Sequence, residues 1–228
     1  MRGVLRCYRQ GMCMRRLMIL MGLLGFIMAA CGAEGDQMIQ NEPAEDTVIV
    51  MLGDSLTAGY GLPPSQALPA VLDNRLRANG HAVSVHNAGV SGDTTAMALA
   101  RYRHSVSSHD ADMLVIALGT NDFLFGFPAS VARQNLSKII ERANSEGLDV
   151  VIAGIEPRWP EVYEMLQGEY ASMFPHLAAD YELPYYEGFM RGVWQESDLL
   201  LADGLHPNAE GVERMAERLA AFLEAELN

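Results

Sequence analysis

The chain has 228 residues, with 29 acidic and 16 basic side chains and a formal net charge of −13. All the acidic residues but only eleven of the basic ones lie after Cys31, so the chain beyond that point carries −18 (11 − 29). A surface this acidic argues against a nucleic-acid partner and against charge-driven binding to anionic lipid headgroups.

The first 31 residues are different in kind. They hold five arginines (Arg2, Arg6, Arg9, Arg15, Arg16) and no acid, and Leu17 to Ala30 is an uncharged apolar run. A basic start, a short apolar stretch and small residues before a cut describe an export signal, and the run is short for a membrane span. The Cys after Met28-Ala29-Ala30 resembles a bacterial lipobox. That resemblance implies cleavage before Cys31, acylation of Cys31 and a lipid-anchored protein on the periplasmic face of the cell envelope; a plain secretory signal or an uncleaved anchor fits the same composition. Cys7 and Cys13 precede the cut, so no disulfide can form within one mature chain. Residues 32–46 (GAEGDQMIQNEPAED) are small, polar and acidic and read as a disordered tether. Residues 47–228 form one domain of ordinary size.

Within that domain, Val48 to Leu52 is an apolar, largely β-branched run with the length of a buried strand, ending at Gly53-Asp54-Ser55. A helix is predicted from about Ser65 to Asn79, with Leu68, Val71, Leu72 and Leu76 at helical spacing. Val83 to Val85 is a short second strand leading into Asn87-Ala88-Gly89-Val90-Ser91-Gly92-Asp93, and a helix follows from about Thr94 to Ser107. Met113 to Leu118 is a third strand, ending in Gly119-Thr120-Asn121-Asp122. Pro128 to Glu146 reads as a helix, Val150 to Ala153 as a fourth strand, and Trp159 to Tyr181 as a helix interrupted near Pro175. Leu183 to Tyr186 is a fifth short strand, and a last helix follows Asp203-Gly204-Leu205-His206-Pro207. Strands alternating with helices make right-handed βαβ units around a parallel sheet, whose functional sites lie beyond the carboxyl ends of the strands. Ser55, Gly89, Asn121, Asp203 and His206 all fall in such positions.

A serine hydroxyl becomes a nucleophile when a base takes its proton and a third group orients the base. Of six histidines, His81, His86, His104, His109 and His176 have no carboxylate at a suggestive spacing and read as surface or packing residues. His206 has Asp203 three residues earlier, which could hold one imidazole nitrogen and leave the other facing Ser55. Acyl transfer also needs donors for a developing oxyanion, and Ser55, Gly89 and Asn121 could supply them. Each residue has an ordinary structural use as well: Ser55 as a helix N-cap, Asp203 as a loop cap before a helix starting at Pro207, Asn121 in an Asx-turn, Gly89 at a positive φ. The same neighbourhood also offers Asp54, Asn121, Asp122, Asp203 and His206 as ligands for a metal-dependent phosphoesterase.

The four blocks Gly53-Asp54-Ser55-Leu56, Gly89 within Asn-Ala-Gly-Val-Ser-Gly-Asp, Gly119-Thr120-Asn121-Asp122 and Asp203-Gly204-Leu205-His206-Pro207, in that order, resemble the GDSL, or SGNH, hydrolase family. The GDSLTAGYG opening, the SGDTT segment and the GxNDxLxG pattern are similar to the bacterial thioesterase I, arylesterase and lysophospholipase branch. The resemblance spans essentially all of residues 47–228. It implies a flavodoxin-like α/β/α fold with five parallel strands, a Ser55–His206–Asp203 triad, an oxyanion hole of Ser55, Gly89 and Asn121, and no metal or organic cofactor. It further implies a monomeric hydrolase of carboxylic esters or thioesters with small-molecule or lipid substrates, or alternatively a carbohydrate O-deacetylase. Thr120, where some members carry glycine, is expected to shape the substrate pocket together with Asp122 and Phe123. The aromatic run Phe123-Leu124-Phe125-Gly126-Phe127 either lines an acyl or aryl pocket or packs on the next helix.

Overall fold

Four consecutive residues, Ile49 to Leu52, are wholly excluded from solvent, which a strand achieves only when both faces of its sheet are covered. That strand, β1 (Thr47–Gly53), lies inside a five-stranded sheet, between β2 (Val83–Gly89) and β3 (Met113–Ala117), with β4 (Asp149–Ala153) and β5 (Tyr185–Tyr186) beyond β3. The computed structural model describes residues 46–155 and 160–227, the side chains of 160–167 excepted. The predicted signal, Cys31 and all of the tether but Asp46 lie outside the described residues. All strand pairs are parallel, in the order β2-β1-β3-β4-β5.

Alternate residues of β1 feed two cores. Ile49 and Met51 pack with Leu68, Leu72 and Leu76 of α2 (Leu68–Ala78) and Met215, Leu219 and Leu223 of α7 (Ala209–Glu226). Val50 and Leu52 pack with Tyr102 of α3 (Thr95–Ser105), Leu136, Ile139 and Ile140 of α5 (Ala129–Glu146), and Leu177 of α6 (Pro160–Asp180). The result is the predicted flavodoxin-like three-layer sandwich. Each fully buried large apolar side chain in it contributes about 1.5–3 kcal/mol.

Several local expectations shift. Strand β2 continues to Gly89 because its register with β1 carries the ladder through His86 and Asn87 to the Gly53–Gly89 pair. As an edge strand it has no need of a continuous apolar run. Pro175 does not interrupt α6: the buried Met173, Phe174, Leu177 and Ala178 on both sides of it belong to one core, and that packing outweighs the lost backbone bond. Two short helices, α1 (Ser55–Ala58) and α4 (Thr120–Leu124), start directly after β1 and β3. Among the described residues no helix is long and apolar enough to cross a membrane.

The end of β1 is packed to backbone contact. A Cβ on Gly53 would sit 2.0 Å from Thr57 Oγ1, and one on Gly89 would sit 2.3 Å from the Ala58 backbone nitrogen. Gly92, three residues on, has φ 87° and open space around it. Gly89→Ala should therefore cost at least about 2–3 kcal/mol, in the upper range of overpacking. Gly92→Ala, strained only in its backbone, should cost about 1 kcal/mol. Urea unfolding of the two variants checks the order; equal losses would mean that α1 does not rest on β2 as closely as described.

Candidate active site

The turn that presents Ser55 follows from its neighbours. Asp54 leaves β1 with φ −104° and ψ −145° and caps α1, its Oδ1 accepting from the Leu56 N–H at 3.0 Å. Gly59, in the left-handed region at φ 81°, ends the helix after one turn. Asp54, not Ser55, is thus the N-cap, and the Ser55 hydroxyl is free to face the cleft.

His206 reaches Ser55 from 151 residues away, with Nε2 2.8 Å from Ser55 Oγ and Nδ1 2.7 Å from Asp203 Oδ2. An ionised carboxylate only accepts, so Nδ1–H donates to Asp203, and the neutral ring's Nε2 accepts from the serine hydroxyl. Asp203 does two jobs at once: Oδ2 holds the ring while Oδ1 accepts from the backbone N–H groups of Leu205 and His206 at 2.9 and 3.0 Å. Gly204, at φ 67°, permits that turn. The cap of α7 is a different residue, Asn208, which accepts from Gly211 N–H at 3.0 Å. Tyr60 stacks on the His206 ring with centroids 4.3 Å apart and planes tilted by 32°; it sits inside the GDSLTAGYG run, but nothing in its spacing marks it.

The two carboxylates that face His206 have opposite environments. Partial burial works against the Asp203 charge, but the hydrogen bonds from the His206 backbone and ring and from Leu205 N–H outweigh it and hold the carboxyl at about 2. Burial pushes Asp54 up to about 6, only partly offset by the Leu56 N–H, the Thr120 hydroxyl and the nearby His206. Its second oxygen, Oδ2, has no hydrogen-bond partner of ordinary geometry among the described residues.

Asn121 lies on α4, and its Nδ2 donates to the Asp93 backbone carbonyl at 2.9 Å. A cleft of about 240 Å³ is lined by Ser55, Tyr60, Gly92, Asn121, Leu124 and His206 among others. Gly89 is not on it, which corrects its expected place in an oxyanion hole. It is a strand residue pressed against α1, its N–H donates to Asn87 Oδ1 at 2.9 Å, and its φ is not positive. Gly92 occupies the cleft instead. The Gly92 in SGD was visible in the sequence, but β2 reads as ending at Val85, and Gly89 then falls at the sheet edge in its stead.

Of the three residues expected to shape the pocket, only Thr120 lines it. Asp122 is buried, its oxygens accepting from the Thr95 N–H at 2.8 Å and the Thr95 hydroxyl at 2.6 Å, while Asn135 Nδ2 donates to the same hydroxyl at 3.1 Å. Phe123 points into the core, edge-on to Tyr170 at 5.5 Å. The 3.6-residue turn of α4 puts Thr120, Asn121 and Leu124 on the cleft side and Asp122 and Phe123 on the core side, so Leu124 faces the cleft in place of Phe123. Among the described residues, no three His, Cys, Asp or Glu side chains converge as ligands for a metal ion.

Residues 51–214 match the model of the GDSL-like Lipase/Acylhydrolase family. An arylesterase from Vibrio mimicus is 35% identical over 177 residues, covering 77% of this chain and 87% of that protein. The thioesterase 1/protease 1/lysophospholipase L1 of Escherichia coli K12 is 32% identical over 186 residues, covering 81% and 86%. Among solved structures, TesA superposes with a TM-score of 0.72 at 31% identity, over 78% of this chain and 98% of that one.

Asp54 gives a pH test of the site's packing. Its folded pKa of about 6 exceeds the unfolded value of 3.8, so the folded state favours the protonated form. Its contribution is fully favourable below the unfolded pKa and is lost as pH rises through about 6. The buried charge then costs roughly 3 kcal/mol. Asp54→Asn keeps an acceptor for Leu56 N–H and carries no charge. Its stability relative to the native chain should therefore rise by roughly that amount between pH 4 and pH 8, measured by urea unfolding. A difference that stays flat with pH would show that the carboxyl is not desolvated.

Proposed function

Because this chain belongs to the GDSL-like Lipase/Acylhydrolase family, we propose that it is a serine hydrolase that cleaves carboxylic esters or thioesters through an acyl-enzyme on Ser55. The observation that carries this reading is the single His206 ring bonded to Ser55 Oγ at 2.8 Å and to Asp203 at 2.7 Å. Ser55 Oγ attacks the acyl carbon as His206 Nε2 takes its proton, and Asp203, ionised down to about pH 2, holds the tautomer and faces the imidazolium that forms. The proton then passes to the departing alkoxide or thiolate, the acyl C–O or C–S bond breaks, and water, activated by the same imidazole, releases the acid. The oxyanion is met by the backbone N–H groups of Ser55 and Gly92 and by Asn121 Nδ2, all at one cleft.

The substrate class we infer is an acyl or aryl ester with an apolar body. Tyr60, Val90, Met97, Leu124, Phe125, Phe127 and Val131 are the exposed large apolar residues among those described. All lie on segments that follow β1, β2 or β3, and two of them, Tyr60 and Leu124, line the cleft. Phospholipid and lysophospholipid acyl groups fit such a rim. The basic and apolar first 31 residues ending at Cys31 support export and lipid anchoring, with the catalytic domain on the periplasmic side, where CoA esters are absent. Every proposed catalytic group comes from one chain, in keeping with a monomer.

Hydrolysis of p-nitrophenyl esters from acetyl to palmitoyl, with and without a serine-reactive organophosphonate and with and without EDTA, tests the reading. The expected outcome is activity on several chain lengths, lost to the phosphonate and indifferent to EDTA. Activity confined to acetyl would favour a deacetylase, and metal-dependent cleavage of phosphate esters instead would overturn the triad. Ser55→Ala should abolish turnover in a folded protein. Asn121→Ala should lower kcat about a hundredfold to a thousandfold, as loss of an oxyanion donor does; a loss under about tenfold would place the donors elsewhere.

A further inference from the structure

We propose that Arg101 is a positioning residue that fixes the oxyanion donors, acting on Asn121 through Asp93; this rests on the oxyanion role given above to Asn121. Arg101 lies in α3, on no motif block, and only 19% of its side chain is exposed. Its Nε donates to Asp93 Oδ2 at 2.5 Å, and its Nη2 donates to the Gly53 carbonyl at 3.1 Å. One guanidinium therefore joins two segments that both carry donors. Gly53 stands two residues before Ser55, and Asp93 stands one residue after Gly92. The Gly53 carbonyl also accepts from Val90 N–H at 3.1 Å, which ties the start of the same loop to the end of β1.

The third donor is tied to the same point. Asn121 Nδ2 donates to the Asp93 backbone carbonyl at 2.9 Å. A side-chain amide has two N–H groups and one oxygen. A carbonyl acceptor at this place selects the nitrogen end, and engaging one N–H leaves the other to project into the cleft that Asn121 lines. If the Asp93 carbonyl moves, the amide is free to rotate and to present its oxygen, which repels an oxyanion. On either side the Asp93 backbone is tied by its own N–H donating to Val90 O at 3.1 Å and by the Thr94 cap of α3, so Arg101 is what fixes its side chain. A short point charge such as lysine cannot span two acceptors on different segments as the fixed fork of arginine does.

A positioning role predicts a loss of kcat that disappears once Asn121 is gone. Arg101→Met should lower kcat on p-nitrophenyl butyrate by about tenfold to a hundredfold with KM within about threefold, because the interaction lost is one made with the transition state. Arg101→Lys should fall between. In an Asn121→Ala background, Arg101→Met should cost less than about threefold more, since residues acting through one another are not additive. Asp93→Asn, which breaks the ion pair and keeps the backbone carbonyl, should reproduce the kcat loss and supplies the same cycle should Arg101→Met fail to fold by circular dichroism. Losses that multiply fully in the double variants, or a rise in KM with kcat unchanged, would overturn the proposal while leaving the oxyanion reading intact. An Asn121→Ala variant with nearly full kcat would instead remove the oxyanion reading, and this inference with it.

Discussion

The site depends first on how closely backbone can approach backbone at the end of β1. Gly53 and Gly89 are paired in register, and a methyl group on either would overlap α1. Only with both side chains missing can a helix start within two residues of the strand and fold back over the sheet edge. That turn sets Ser55 beyond the carboxyl end of β1, beside β3, where the chain order reverses from β2-β1 to β3-β4-β5. At such a switch point neighbouring connections leave in opposite directions and open a crevice. Asn121 enters the crevice from the end of β3, and His206 from the loop before α7.

What could be read from the sequence follows the range of the forces involved. The five strands, the sandwich and the identity of Ser55, Asp203, His206 and Asn121 come from runs of apolar residues and from short blocks whose members lie within a few positions of each other. Gly89 reads as a sheet-edge residue because an edge strand carrying His86 and Asn87 has no apolar signature at its end, and the sequence alone puts the end of β2, and with it the sheet edge, too early. Asp122 and Phe123 turn away from the cleft for a reason the sequence does not display: the one-turn helix α4 is too short to show a periodicity, and helical rotation decides which of Thr120, Asp122, Phe123 and Leu124 faces the cleft. Arg101 was invisible for a different reason: its partners Gly53 and Asp93 lie 48 and 8 residues away, and nothing local distinguishes it from the solvated arginines of other helices.

Buried polar groups divide the work around the cleft. Asp122 accepts both hydrogen bonds of Thr95 and so joins the start of α3 to α4, while Asn135 adds α5 to the same point. Arg101 joins α3 to the end of β1. Helices that pack on the sheet through apolar faces can slide by a few tenths of an ångström without much change in buried area. Directional bonds between their buried polar groups remove that freedom where donors must be aimed at a single atom. The apolar core therefore sets the architecture, and this small polar frame sets the angles.

The contrast between Asp54 and Asp203 shows why two carboxylates near one imidazole do not compete for its proton. Asp203 keeps part of its surface in water and accepts from two backbone N–H groups as well as the ring, so its charge is secure and its orientation is fixed. Asp54 is buried beside α1, where the Leu56 N–H and the Thr120 hydroxyl only partly offset the loss of water, so its charge is costly. Proximity to His206 alone would favour ionisation of both. Solvation decides between them, leaving Asp203 as the group that holds the His206 ring and Asp54 as the cap of α1.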